Sequence, residues 1–280
     1  MKPLPTSLLL AALALARAVP ALGFSTLHPT MPADVIDNSD SYQANDIVTG
    51  FGVEQRQAGF AHCLREVLVR LSGEPRLEHD PRVASLAVHA DSLVASFDYG
   101  DVLLGMGFPV HDDQGTADRP EYLVTRFDHA KIEQVLADLG EQPWRDLRPE
   151  VVPVLVVHGP SRAYLLSAEV PFGEGQRDSL ATVGIQYGLH ARVPTEAELA
   201  AWGVTVDGFP SPRVEAGDER ALVEGTLDFD ETRSSWVGSW RMRWRGAEHT
   251  WGISGVNFDE AFRSLMRGVL RVAAGHGAPD

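Results

Sequence analysis

The chain has 280 residues, 44% of them hydrophobic and 22% charged, which is an ordinary globular composition with enough length for one large domain or two small ones. Its formal net charge of −15 repels polyanions and so argues against a nucleic-acid partner. Cys63 is the only cysteine, which excludes an internal disulfide and thiolate-rich zinc sites.

Residues 1–23 have the order of a secretory signal peptide. Lys2 is followed by an apolar run over residues 8–15 and then by Ala21-Leu22-Gly23, small residues of the kind a signal peptidase reads. We therefore predict export to the periplasm, with cleavage after Gly23 and Ala18 as a second possible site. The alternative is an uncleaved anchor, but the run is far shorter than the roughly 20 residues of a spanning helix. No second apolar stretch approaches that length, so the mature chain is predicted to lack a transmembrane segment.

The predicted first half covers residues 53–148 and follows a flexible leader, residues 24–52, that shows no hydrophobic periodicity. Its first helix begins near Glu54 and ends at Ser72-Gly73, with Cys63 predicted as a buried, inert thiol among apolar neighbours. Three charged side chains fall on the opposite face of this helix: Arg65, Glu66 and Arg70. Asp80-Pro81 opens a short helix, residues 94–104 and the segment from Tyr122 are extended, and Asp128 caps a helix that ends at Gly140.

The predicted second half covers residues 149–275, with a tail at 276–280. The run "VVPVLVVHG" is typical of a strand buried on both faces, and "AYLLSAE" follows as a second strand. Helices are predicted over residues 176–187 and from Thr195. Three strands and a helix from Asp259 complete a predicted α+β fold of two packed α/β halves, the second ending in an antiparallel three-strand meander and a C-terminal helix.

One strand of the predicted meander, "SWVGSWRMRWR", raises the question of a nucleic-acid surface. Read with a period of two, Trp236, Trp240 and Trp244 share one face, whereas Arg241 and Arg243 share the other. A single-strand-binding surface needs exposed aromatic side chains in a basic groove. The pattern therefore favours tryptophans in the core and arginines at its rim.

Five segments of the chain resemble the proteobacterial family of exported proteins known as domain of unknown function 2066. They are "LREVLVRLSGEPRL", "VTRFDHAKIEQVLADLGEQPW", "VPVLVV", "GLHARVP", and "ALVEGTLDF" with the tryptophan strand and the last helix. The loop over residues 108–128 resembles a loop found in only part of that family. The resemblance implies an exported envelope protein without an established activity, and it carries over no catalytic residues.

Catalytic and metal-binding motifs are sparse. Gly252-Ile253-Ser254-Gly255 is one residue short of a nucleophile elbow, and no His-Glu-x-x-His is present. His158 follows the buried strand and lies close to Ser161, but the sequence identifies no orienting acid and no oxyanion hole. Glu174 and Asp178 place negative charge where a phosphate would sit beside Gly173, so a plain turn is favoured there. No cofactor, metal site or catalytic residue is predicted.

The polar segment "HDDQGTADR" is the predicted binding site. Its candidate interaction residues are His111, Asp112, Asp113, Gln114, Thr116, Asp118 and Arg119. Oxygen ligands at this density suit a hard cation such as calcium, but the spacing lacks the EF-hand pattern. A solvated loop is the plainer alternative, and an interaction loop ranks above a metal site.

The sequence thus predicts a periplasmic cell-envelope protein that works as a binding or scaffolding module, with a protein or another envelope component as its partner. The alternative is a hydrolase of an envelope component. An enzyme should show a deep pocket where His, Ser and acids converge, whereas a binding module should show a flat patch or an open groove.

Overall fold

The computed structural model describes residues 40–102, 119–169, 171–210 and 219–279. Backbone contacts divide the chain into Met1–Thr30 and Met31–Asp280, and every described residue belongs to the second unit. The predicted signal peptide lies outside the described residues. Among the described residues, no helix combines the length and the apolar character needed to cross a membrane.

Nine strands and six α-helices make up this part of the chain. The strands are β1 (Gln43–Thr49), β2 (Val94–Asp101), β3 (Pro120–Phe127), β4 (Glu150–His158), β5 (Ala163–Leu165), β6 (His190–Ala191), β7 (Arg220–Asp230), β8 (Ser235–Trp244) and β9 (Ala247–Val256). The helices are α1 (Val53–Ser72), α2 (Pro81–Ala87), α3 (His129–Leu139), α4 (Glu174–Gln186), α5 (Glu196–Ala201) and α6 (Phe258–Ala273). Two 3-10 helices span Pro75–His79 and Ala90–Leu93.

The strands form two sheets. The smaller sheet has the order β1-β3-β2 and is antiparallel throughout. The larger sheet has the order β5-β4-β7-β8-β9, in which β4 and β7 are parallel and β6 adds a short parallel pairing to β4. The predicted α+β class is confirmed, together with the antiparallel meander β7-β8-β9 and the C-terminal helix α6.

Local capping signals in the sequence fix several helix ends as predicted. Asp128 accepts a hydrogen bond from the Lys131 amide at the start of α3, and Gly140 ends that helix with φ of 87°. At α5, Thr195 and Glu198 form a reciprocal capping box. Each of these ends depends on contacts within a few residues, so the sequence alone suffices to locate it.

The prediction of a flexible leader over residues 24–52 is wrong for Gln43–Thr49, which form β1. This strand pairs antiparallel with β3, from Gln43 opposite Arg126 to Thr49 opposite Pro120. Its sequence, "QANDIVT", has no regular apolar alternation, and so the pattern gave no prediction of a strand. The segment is ordered by its pairing with β3 and by its packing against α1. Ala44 and Val48 supply the buried contacts.

A single main core contains side chains from both sheets and from helices α1 and α6. Leu64 and Leu68 of α1, Leu123 of β3, Leu155 of β4 and Leu265 of α6 are all fully buried in it. Cys63 is also buried there, and burial raises the pKa of its thiol, as expected for an inert cysteine. The large sheet therefore has one face that is closed by packed helices.

The tryptophan strand has the predicted orientation. Trp240, Met242 and Trp244 are buried in the main core, whereas Arg243 is exposed and Arg241 forms an ion pair with Glu224 of β7 at 2.8 Å. The prediction is confirmed for Trp240 and Trp244, whereas Trp236 is partly buried and packs against the edge of the core. On the outer face of the sheet, Leu199 of α5 packs against Val152 and Val154 of β4 and Leu222 of β7 in a small separate cluster.

Candidate functional site

The predicted interaction loop lies almost entirely outside the described residues. His111, Asp112, Asp113, Gln114, Thr116 and Asp118 are not described, whereas Arg119 is. Arg119 precedes β3, and its guanidinium forms an ion pair with Asp101 of β2 at 3.2 Å. Its carbonyl oxygen accepts a hydrogen bond from the Gly50 amide. Arg119 therefore ties the ends of β1, β2 and β3 together at the base of the loop.

His158 has an acidic partner that the sequence did not reveal. The parallel register of β4 and β7 places His158 directly opposite Asp228, and the His158 Nδ1 atom lies 2.5 Å from an Asp228 carboxylate oxygen. The other oxygen accepts a hydrogen bond from the Thr226 hydroxyl at 2.7 Å. The His158 and Asp228 side chains are 44% and 43% exposed, so the pair lies in contact with water.

The glycine-containing motifs have structural roles. Gly252-Ile253-Ser254-Gly255 lies inside β9 and so does not form a strand-to-helix elbow. Gly173 adopts φ of 78° immediately before α4, which is the conformation of a turn that favours glycine. The hairpin tip contains Asp230, which accepts hydrogen bonds from the Thr232 and Arg233 amides. None of these segments supplies a reactive side chain.

A polar cleft of about 270 Å³ lies between α1, the Pro75–His79 helix, the end of α4 and α6. We call it the α1–α6 cleft, and its ionisable lining consists of His62, Arg65, Glu66, Glu78, Glu260 and Arg263, with Tyr187 beside them. Arg267 joins Glu260 at 2.6 Å and Glu78 at 3.6 Å. The two acids are therefore both paired with one arginine of α6.

Glu66 is the most strongly perturbed acid of the cleft. Its side chain is 13% exposed, and burial raises its pKa from 4.5 to about 7 against the opposing effect of Arg70. Arg70 lies 3.3 Å from Glu66 and also donates hydrogen bonds to the carbonyl oxygens of Ser41 and Gln43. The sequence placed Arg70 on the outer face of its helix, and this is wrong: β1 covers that face, and Arg70 is buried.

His62 lies at the mouth of the same cleft. Its Nδ1 atom lies 3.2 Å from an Asp46 oxygen of β1, and this hydrogen bond raises the pKa of the imidazole. Imidazole and buried carboxyl groups that titrate near neutral pH are enriched at functional sites, although structural ion pairs also produce them. The cleft therefore combines perturbed ionisable groups with space for a ligand.

The free energy of unfolding should fall as the pH rises from 4.5 to about 7, because Glu66 titrates differently in the folded and unfolded chain. The unfolded chain releases this proton near pH 4.5, whereas the folded chain keeps it to about pH 7. Since the folded state binds more protons in this window, unfolding becomes easier by roughly 3 kcal/mol across it. Glu66→Gln, measured by urea unfolding at pH 4.5 to 8, should lose this component. Glu231→Gln, at an exposed hairpin turn, should keep the parent's pH dependence; an unchanged profile in Glu66→Gln would contradict the assignment.

A second group of ionisable side chains has the composition of a metal site. Glu74, Glu141 and His276 each place one ligand atom within 4.8 Å of the others. However, Glu74 is in a buried ion pair with Arg271, and the His276 Nε2 atom lies 2.9 Å from the Ser72 carbonyl oxygen. A cation would have to displace the guanidinium, so these residues are organised to join the ends of α1 and α6.

The α1–α6 cleft was missed by sequence reasoning because its residues come from distant parts of the chain. A partial signal exists in α6, where Arg263, Arg267 and Arg271 recur every fourth residue and so lie on one helical face. The sequence gives no indication that α1 and the Pro75–His79 helix face this row. Only the tertiary fold brings Glu66 and Glu78 to it.

Residues 37–145, less than half of the chain, match the model of a family described as "Domain of unknown function (DUF8605)". The chain is thus similar to a domain of unknown function, although the matching model is not that of family 2066. No curated protein matches the chain. A solved structure described as "Crystal structure of uncharacterized protein" is similar over 47% of this chain and 92% of that chain, with 11% identity and a TM-score of 0.19.

Proposed function

We propose that the protein is exported to the periplasm and acts there as a non-enzymatic binding or scaffolding module for a protein or another cell-envelope component. The observation that carries the non-enzymatic part is the geometry at His158. Within the described part of the chain, Asp228 is its hydrogen-bond partner, and the Thr226 hydroxyl binds the acid rather than the imidazole. In the described ranges, no hydroxyl or thiol is hydrogen-bonded to this imidazole, and a water-exposed pair of this kind lacks the enclosed, preorganised site that hydrolysis requires.

Export is supported by the order of residues in the first 23 positions and by the resemblance to family 2066. A fusion of residues 1–30 to a reporter that is active only outside the cytoplasm should be active, and the mature chain should begin near Phe24. Leu10→Arg places a charge in the apolar run and should abolish reporter activity. Recovery of the soluble cytoplasmic protein with an intact Met1 would contradict export.

The binding surface that we propose is the loop from His111 to Arg119. Loops held by a rigid scaffold often carry binding residues, and the strands that precede and follow this loop in the chain, β2 and β3, are paired with each other. Because Arg119 is paired with Asp101, the acids at positions 112, 113 and 118 are the groups that we expect to contact a basic or neutral partner. The partner is to be captured by crosslinking in intact cells.

Replacement of Asp112, Asp113 and Asp118 together by alanine should abolish capture of that partner. We expect the melting temperature to stay nearly unchanged, because acids that act in binding a partner need contribute little to folding. Asp146, Asp207 and Glu231 are exposed acids outside the loop, and their combined replacement by alanine is the matched control, which should capture normally. Calcium should not alter melting of the parent. A calcium-dependent rise in the melting temperature that vanishes in the loop variant would establish a metal site instead. Unchanged capture of the partner by the loop variant would refute the assignment of the binding surface to the loop.

A hydrolase is the second candidate, and one observation favours it. Asp228 holds the His158 Nδ1 atom, which fixes the ring and leaves Nε2 as the atom available to accept a proton. The candidate predicts hydrolysis of an envelope component that is lost in His158→Ala and strongly reduced in Asp228→Asn. Hydrolysis that both variants retain, or no hydrolysis by the parent, would exclude these residues from catalysis.

A further inference from the structure

The two arginines that line the α1–α6 cleft, Arg65 and Arg263, are partly buried and are less fully paired than the buried Arg70 and Arg271. Arg65 donates a hydrogen bond from Nη1 to the Ala61 carbonyl oxygen at 2.9 Å. In residues 40–102, 119–169, 171–210 and 219–279, no carboxylate oxygen lies within 4 Å of its guanidinium. Arg263 forms an ion pair with Glu260 at 3.6 Å, but Arg267 binds the same carboxylate more closely, at 2.6 Å. Both guanidinium groups therefore keep N–H donors that a ligand can use.

The acids around the cleft are paired mainly with arginines other than Arg65 and Arg263. Glu78 and Glu260 are both bound by Arg267, at 3.6 and 2.6 Å. Glu66 is turned toward Arg70 on its own helix. An anion that enters the cleft therefore meets Arg65 and Arg263 as the cations that are least engaged by protein carboxylates.

We propose that the α1–α6 cleft binds the carboxylate group of a small acidic ligand, which Arg65 and Arg263 hold from α1 and α6. A planar guanidinium presents paired N–H donors that match the two oxygens of a carboxylate. The volume of about 270 Å³ lies just below the range of roughly 300–1,000 Å³ that is typical of drug-sized ligands. The cleft therefore has room for a small acid, such as a short dicarboxylic acid or an acidic amino acid.

Binding at this site should depend on pH through Glu66. Below its pKa of about 7 this side chain is neutral and donates its O–H, whereas above that pH it adds a negative charge beside the ligand. The charged or titratable groups that face it are Arg70 and His62 on α1, Asp46 on β1, Arg263 and Glu260 on α6, Glu78 on the Pro75–His79 helix, Arg65 on α1 and Tyr187 after α4. His62 titrates in the same direction, since its protonated form also favours an anion.

Titration calorimetry of the full chain with succinate tests the proposal, with inorganic phosphate as the second anion. Succinate should bind at pH 6, and Arg65→Gln or Arg263→Gln should each weaken it about tenfold through the loss of charge-assisted hydrogen bonds. Arg56→Gln is the matched control, because Arg56 also lies on α1 and also donates to a backbone carbonyl, that of Phe51. This control should bind succinate as the parent does.

The pH profile separates specific binding from general attraction to positive charge. Parent binding should weaken several-fold between pH 6 and pH 8.5, and Glu66→Gln should weaken clearly less over the same range, because His62 alone then loses its charge. Melting curves without ligand confirm that each variant is folded. Failure of the parent to bind succinate, or equal weakening by Arg56→Gln, would overturn the proposal, and preferential binding of phosphate would overturn the assignment to a carboxylate. Partner capture at the loop is measured separately, so either proposal can fail alone.

Discussion

Trp240→Ala should lower the free energy of unfolding by roughly 3 to 5 kcal/mol, because it removes a large buried ring and leaves a cavity in the main core. Trp240 is 2% exposed, and its ring lies against Gly225 of the neighbouring strand β7 and against Gly238 of its own strand β8. A Cβ at Gly238 would lie 2.3 Å from the ring, so no side chain is available there to fill the space. Urea unfolding of the parent and the variant measures the difference.

Arg243→Ala is the control for the outer face of the same strand and should cost about 0.5 kcal/mol or less. Arg241 differs from Arg243 because its ion pair with Glu224 is partly buried, at 2.8 Å. If Trp240→Ala cost no more than Arg243→Ala, the core assignment of the tryptophan face would be refuted. Tight, salt-sensitive binding of single-stranded nucleic acid by the parent, lost in the arginine variants, would also contradict this assignment.

Arg271→Met should destabilise the fold by about 3 to 5 kcal/mol, because it leaves the carboxylate of Glu74 buried without its cation. The two side chains are 7% and 10% exposed, and Arg271 also donates to the Ala278 carbonyl oxygen at 2.9 Å. Thermal and urea unfolding at pH 7 give the loss. Arg233→Met provides a control at a surface pair, since Arg233 is 76% exposed beside Asp230, and should cost about 1 kcal/mol or less.

The double variant Glu74→Gln with Arg271→Met tests the reason for that loss. If the unpaired carboxylate causes the destabilisation, neutralising Glu74 should restore part of the stability. A double variant that is less stable than Arg271→Met would instead assign the effect to packing of the arginine stem. Such a result would mean that the ion pair between Glu74 and Arg271 does not stabilise the contact between the ends of α1 and α6.

Most of the fold could be predicted where the signals are local. The cap at Asp128, the capping box at Thr195, the buried run of β4 and the alternation around Trp240 each depend on neighbouring residues in sequence or on a simple period. β1 could not be predicted, because "QANDIVT" becomes a strand through its pairing with β3. The parallel pairing of β4 with β7 also depends on partners that lie far apart in the chain.

The candidate site was less accessible to sequence reasoning than the fold. His158 was recognisable after its strand, but Asp228 is 70 residues away and is brought to it only by the register of β4 and β7. By its spacing, Arg70 belongs to the charged face of α1, and the sequence does not indicate that β1 covers this residue. The loop from His111 to Arg119 was singled out by composition alone, and its role stays a prediction.

The contact between the ends of α1 and α6 has a consequence for the order of folding. Glu74 and Arg271 are 197 residues apart, and the main core needs apolar side chains from both helices. Domains with such distant contacts fold slowly, since a long loop must close before its contacts can stabilise the chain. During synthesis, the ribosome releases α1 long before α6. The first helix can pack against β1 and β3 as soon as those strands emerge, whereas the face of β8 and β9 that α6 covers stays open until the last helix is free.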